Sequence, residues 1–220
     1  MRIVVGKAPL RRILKWAQRA LFACAFLLLG YCAFSLGDAW IFQSRQSAIL
    51  DRQLRDRQAA SESASQLRSS AVPASAPAVA ADGLIGRLEI PRLFLSVVVV
   101  EGVDKTTLRR AVGHIPGTSL PGDSGNVGLA GHRDTFFRPL KDLKIKDEIQ
   151  FSTLKGNFKY EVQSLRVVDP SNVGVLASSG ENVLTMVTCY PFYFVGPAPK
   201  RWIVRARQVS PQMAPPSVVE

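Results

Sequence analysis

Residues 182–191 read NVLTMVTCYP. From Val183 to Val187 the residues are β-branched or apolar, with no glycine or proline among them. That is the composition of a buried strand. Pro191 ends it, because proline has no N–H to give to a ladder. Cys189 is therefore displayed at a strand tip beside a loop, a usual place for a reactive side chain. Its other reading is a small buried hydrophobe.

Working outward, the same grammar repeats. Residues 83–90 (GLIGRLEI), 96–100 (SVVVV), 126–130 (NVGLA), 147–153 (DEIQFST), 158–168 (FKYEVQSLRVV) and 202–207 (WIVRAR) all read as short strands bounded by turn residues. Asp104 opens a short helix over 104–112, and the Gly/Pro-rich stretch 113–123 is a loop. Seven or eight strands with so few helices make a mostly β fold, a barrel or a sandwich, and exclude alternating βα units.

Upstream the character changes. Residues 20–37 (ALFACAFLLLGYCAFSLG) carry no charge, and Ala39–Phe42 resume the apolar run after Asp38. As a helix, residues 20–42 span roughly 35 Å, enough for a hydrocarbon core of about 30 Å. Residues 1–19 hold six basic groups and no acid. By the positive-inside rule this flank stays in the cytoplasm and everything after the span lies outside. The expectation is a single-pass cell-membrane protein with an extracytoplasmic domain. A cleaved signal peptide is the competing reading, but no small-x-small site follows the apolar run closely.

Residues 43–68 hold good helix formers, with Ile49, Leu50 and Leu54 on one face. They read as a marginal helix extending the anchor, or as a weak self-association stretch. Residues 69–82 are a Ser/Ala/Pro linker, 83–208 the folded domain, and 209–220 a loose tail.

The net charge of +11 first points to nucleic acid or an anionic surface. The cytoplasmic flank carries six, the domain a net six, and Glu220 in the tail takes one away, so no nucleic-acid partner is expected. Of three cysteines, Cys24 and Cys32 fall within the apolar span and read as small apolar residues. Cys189 then has no intrachain disulfide partner outside the membrane.

A thiol nucleophile needs a partner for its proton, and imidazole titrates near neutrality. His132, in GLAGHRDTFF, follows another apolar strand, with glycines that permit close approach. His114, in AVGHIPGT, lies in a Gly/Pro loop and is a candidate site-wall residue. Arg201 opens the WIVRAR strand, and a fixed guanidinium can stabilise a developing oxyanion. Lys200 and Arg205 compete for that role.

At these residues the chain resembles the sortases, membrane-anchored cysteine transpeptidases. The family motif Thr-Leu-x-Thr-Cys reads Thr185-Met186-Val187-Thr188-Cys189, with Met in place of Leu. The histidine motif matches at Gly131-His132-Arg133, the arginine motif at Arg201 in PKRWIVRA, and the loop HIPGTSLPGDSGN also looks like the family.

The resemblance implies a closed eight-stranded β-barrel with a few short helices, preceded by one transmembrane helix. It implies that Cys189 forms an acyl-thioester on an LPxTG-like sorting signal. His132 handles the protons, Arg201 stabilises the oxyanion, and Thr188 and His114 line the substrate groove. The partners implied are secreted proteins bearing the signal and an amine acceptor, a cell-wall precursor or a pilin lysine.

No cofactor is expected. Asp123, Asp134 and Asp142 form no recognisable ligand set, so no metal is expected either. The short stretch between Cys189 and Arg201, and the lack of an Asp-Pro-aromatic lid motif ahead of the domain, lean toward a class D-like member. The rivals are a cell-wall cysteine peptidase, which places Cys before His in the chain, and a non-catalytic envelope-binding barrel.

Overall fold

The computed structural model describes residues 7–66, 79, 83–178 and 180–212. The linker expected over 69–82, apart from Val79, and the tail beyond 212 lie outside the described residues. The chain divides into two compact units, Met1–Ile41 and Phe42–Glu220.

Helix α1 (Lys7–Gln66) runs through the boundary. In the first unit its large apolar side chains, among them Phe22, Leu28, Tyr31, Phe34 and Trp40, are exposed. A helix apolar on every face has no polar side to turn to water. It is long and apolar enough to cross a membrane.

The second unit is a closed barrel of eight strands in the order β1-β2-β3-β4-β7-β8-β6-β5. In chain order these are β1 (Leu84–Ile90), β2 (Leu95–Glu101), β3 (Val112–His114), β4 (Asn126–Ala130), β5 (Glu148–Thr153), β6 (Gly156–Val168), β7 (Val183–Tyr190) and β8 (Lys200–Gln212). β2–β3 and β4–β7 pair in parallel and the other neighbours are antiparallel. Closure leaves no edge strand exposed to other chains. Alternate residues fill the interior: Leu88, Val99, Leu129, Phe151, Leu184, Met186 and Val204 are buried in one core. Helix α2 (Lys105–Arg110) starts where Asp104 Oδ1 accepts the N–H groups of Thr106 and Thr107 at 2.8 and 3.1 Å. Those bonds and the Thr107 hydroxyl hold the Asp104 carboxyl below its usual range.

Two boundaries differ from the expectation. β3 occupies the start of the stretch read as loop. Three residues flanked by a helix and a Gly/Pro run carry too little pattern to mark a strand. β8 continues to Gln212, pairing Lys159 with Ser210 and Asn157 with Gln212, so the tail begins four residues later than expected.

The segment read as a marginal stalk is helical and docks on the barrel. Leu50 is fully buried with Leu84, Val98, Val100, Ala111 and Leu154, and Phe42 and Leu54 pack against that cluster. Gln43 Oε1 accepts the Val98 N–H at 2.8 Å and its Nε2 donates to the Arg110 carbonyl at 2.7 Å. Asp51 pairs with Arg87. Helix formation here comes from tertiary packing rather than propensity.

Candidate active site

β4, β7 and β8 are neighbours in the barrel, and each delivers one of the three expected groups. In β7 the core takes Leu184 and Met186. Cys189 has the opposite parity and faces outward, half-buried. Arg201 is its register partner on β8, so the two side chains stand on the same face, a strand spacing of about 5 Å apart. On the other side, β4 runs parallel to β7 with Ala130 opposite Val187. His132 and Cys189 each lie two residues beyond that pair, at the same end of adjacent strands.

The approach of β4 to β7 is held past the last ladder pair. Gly131 N donates to the Val187 carbonyl at 3.2 Å, and Thr188 Oγ1 donates to the Gly131 carbonyl at 2.7 Å. Thr188 is 3% exposed, so its hydroxyl ties the two strands together from inside. Gly131 is required by crowding: a Cβ there would sit 2.7 Å from the Phe137 ring. Phe137 is itself fully buried and donates its N–H to the His132 carbonyl at 3.1 Å. The backbone of His132 is fixed while its ring is exposed.

Arg201 Nη1 donates to the carbonyls of Ala198 and Lys200 at 3.1 and 2.9 Å. A guanidinium carries five N–H donors, so this hold orients it without using it up. Lys200 is taken by Asp169 at 2.7 Å. Beside Cys189 the loop 190–199 raises an aromatic wall: Tyr190 stacks on Trp202 with centroids 5.8 Å apart, and Phe192 meets both edge-on. Residues Tyr190–Phe194 line a cavity of about 300 Å³. The run YPFYF was the available sign of this wall in the sequence, and it went unused.

His114 has a different place. Its ring is 2% exposed. Nδ1 meets Glu101 Oε2 at 2.7 Å, and Nε2 lies 3.0 Å from both the Ser119 carbonyl and Thr118 Oγ1. Nε2 fastens the 115–125 loop to β3, and Nδ1 ties β3 to Glu101 at the end of β2. His114, expected at the site wall, has its ring built into the barrel between β2 and the 115–125 loop.

The sortase-domain family model matches residues 88–209, more than half of the chain. The chain belongs to the sortase family. It is 36% identical over 126 residues to sortase D of Bacillus subtilis, a match covering 57% of this chain and 64% of that protein. It is 26% identical over 112 residues to sortase A of Listeria monocytogenes, covering 49% of this chain and 50% of that one. The chain thus spans less than two thirds of the length of these relatives. Among solved structures, a sortase D5 transpeptidase of Clostridium perfringens superposes with a TM-score of 0.53 at 32% identity, covering 58% of this chain and 79% of that one. Sortase C-1 of Actinomyces oris gives 0.55 at 34% identity, covering 59% and 76%. The sortase neighbours agree with the barrel fold.

Proposed function

We propose that this sortase is a membrane-anchored cysteine transpeptidase in which Cys189, His132 and Arg201 are the reacting and stabilising groups. The observation that carries the reading is the strand register, with Cys189 opposite Arg201 and His132 at the matching end of the parallel neighbour.

The Cys189 thiolate attacks the threonine carbonyl carbon of an LPxTG-like signal, at the bond that joins the threonine to the next residue. Negative charge gathers on the carbonyl oxygen, where the Arg201 guanidinium holds it. The C–N bond breaks as His132 gives its proton to the leaving amine, and an acyl-thioester remains on Cys189. An incoming amine attacks that thioester, His132 takes its proton, and the thiolate leaves. The two half-reactions together restore the protonated histidine and the thiolate. The aromatic wall and its cavity supply an apolar flank for the signal peptide. The acceptor is an amine of the cell envelope, from a wall precursor or another protein.

The apolar part of α1 is read as the anchor over residues 20–42, with the basic flank in the cytoplasm and the barrel outside. At that face of the membrane the substrates arrive as secreted chains.

The test uses the full chain in detergent with a labelled LPxTG-type peptide and an added amine. Wild type is expected to give the amine-ligated product, and Cys189→Ala neither product nor a thioester mass adduct. Equal turnover by Cys189→Ala would sink the reading. Hydrolysis with no ligation would favour a peptidase.

A further inference from the structure

Arg133 follows His132, yet its side chain does not join the histidine. It is 7% exposed. Nη1 donates to the Pro191 carbonyl at 2.8 Å, and Nη2 donates to the carbonyls of Phe194 and Gly196 at 2.6 and 3.2 Å. The guanidinium also lies 6.0 Å from the centroid of the Phe194 ring. Its one carboxylate neighbour is Asp134, 3.5 Å from Nε and 67% exposed.

A buried cation with so weak a counter-charge is costly unless its donors are filled. Here loop carbonyls fill them. Irregular backbone leaves carbonyls without ladder partners, and a planar fork can serve several at once where an ammonium cannot. All three acceptors belong to the loop joining Cys189 to Arg201. Phe192 anchors the start of that loop on Tyr190 and Trp202, but its tip stands out: Tyr193 and Val195 are 75% and 97% exposed, and among the described residues the further side-chain hold on the tip is Lys141 Nζ donating to Tyr193 Oη at 2.8 Å.

We propose that Arg133 is a positioning residue that sets the shape of the 191–196 loop, and through it the substrate wall beside Cys189. It ties the segment carrying His132 to the loop flanked by Cys189 and Arg201. It touches no reacting atom. The proposal rests on the transpeptidase reading for its kinetic consequence, and on the hydrogen bonds alone for its structural one.

The experiment compares wild type, Arg133→Met and Arg133→Lys as full chains in detergent. Four properties are read: amide hydrogen exchange, melting temperature, alkylation of Cys189 by iodoacetamide, and steady-state kinetics on the labelled peptide. In Arg133→Met, exchange in 191–196 should quicken at least tenfold while that of 183–188 stays within twofold. KM should rise about tenfold or more, kcat should fall less, and alkylation should stay within threefold. Arg133→Lys, with one charge and no fork, should fall between and serves if the Met variant does not fold. Unchanged exchange in 191–196 overturns the proposal. So does a loosened loop with unaltered KM, or an equal rise in exchange through β7, which would mark a general loss of stability. If wild type itself fails to turn over the peptide, the transpeptidase reading falls, while exchange and alkylation still decide whether Arg133 shapes the loop.

Discussion

His114 ends β3 and His132 follows β4, the next strand round the barrel, and each comes directly after a glycine. Around His114 the barrel is finished: the ring is buried and both nitrogens meet Glu101, Ser119 and Thr118. Around His132 it is left open. The ring is exposed, and among the described residues it has no side-chain hydrogen bond. An imidazole committed at both nitrogens cannot carry protons between reactants, whereas one fixed only by its backbone can. The shared Gly-His pair does not tell the two apart, and the partners of each ring do.

The sharpest way to break that contrast is to remove each ring in turn. His132→Ala should lower kcat/KM for the peptide by about a thousandfold, the scale of a lost general acid–base group. Its melting temperature should stay within about 3 °C, the scale of a surface change. His114→Ala should do the reverse. Losing the buried ring and its hydrogen bonds should cost about 1 to 3 kcal/mol, read as a fall in denaturation midpoint, with the rate per folded molecule within about threefold. If both variants lose stability alike, the two histidines are not divided as described.

Asp147 offers a pH test of the finished regions. It is nearly buried, accepts Arg92 Nε at 2.6 Å and the Lys144 N–H at 2.6 Å, and its carboxyl is held below the usual range, first by the Arg92 hydrogen bond. A depressed folded pKa means that the stabilisation is present above the unfolded carboxylate pKa. It is lost as pH falls through the folded value, that is, below about pH 4. Asp147→Asn should be less stable than wild type at pH 7, with the gap closing in acid. Melting curves from pH 2 to 7 read it, and a gap independent of pH would remove the pair from the account. The partners of Asp147 are Arg92 and Lys144 and not His132, Cys189 or Arg201, so the pH profile of kcat should not follow it.

Much of this was legible because it is local. The β7 and β6 runs show their strands, and Cys189, His132 and Arg201 stand at strand ends that the sequence marks. What stayed hidden depends on distant partners. Leu50 is visibly apolar, but its neighbours Leu84 and Val98 lie on other strands. Gln43 reads as a surface glutamine until Val98 and Arg110 supply its bonds. Arg133 reads as one more solvated cation, because backbone carbonyls carry no residue signature. β3 hides for the opposite reason: three residues are too short to show a period.

Thr188 is where the finished and open regions meet, and the smallest effect is expected there. Its hydroxyl points into the barrel and donates to Gly131, one residue before His132, while its own chain continues into Cys189. Thr188→Val keeps the volume and β-branching but leaves the Gly131 carbonyl without that donor. One such bond is worth about 1 kcal/mol, so the denaturation midpoint should drop only slightly. The Gly131 N–H still holds the Val187 carbonyl, so β4 and β7 remain paired and His132 stays near the thiol. Because the lost bond lies directly beneath the histidine, kcat should fall several-fold while KM changes little. A loss as large as that of His132→Ala would give Thr188 a direct part in the reaction. No loss at all would show that Gly131 alone fixes where the histidine stands.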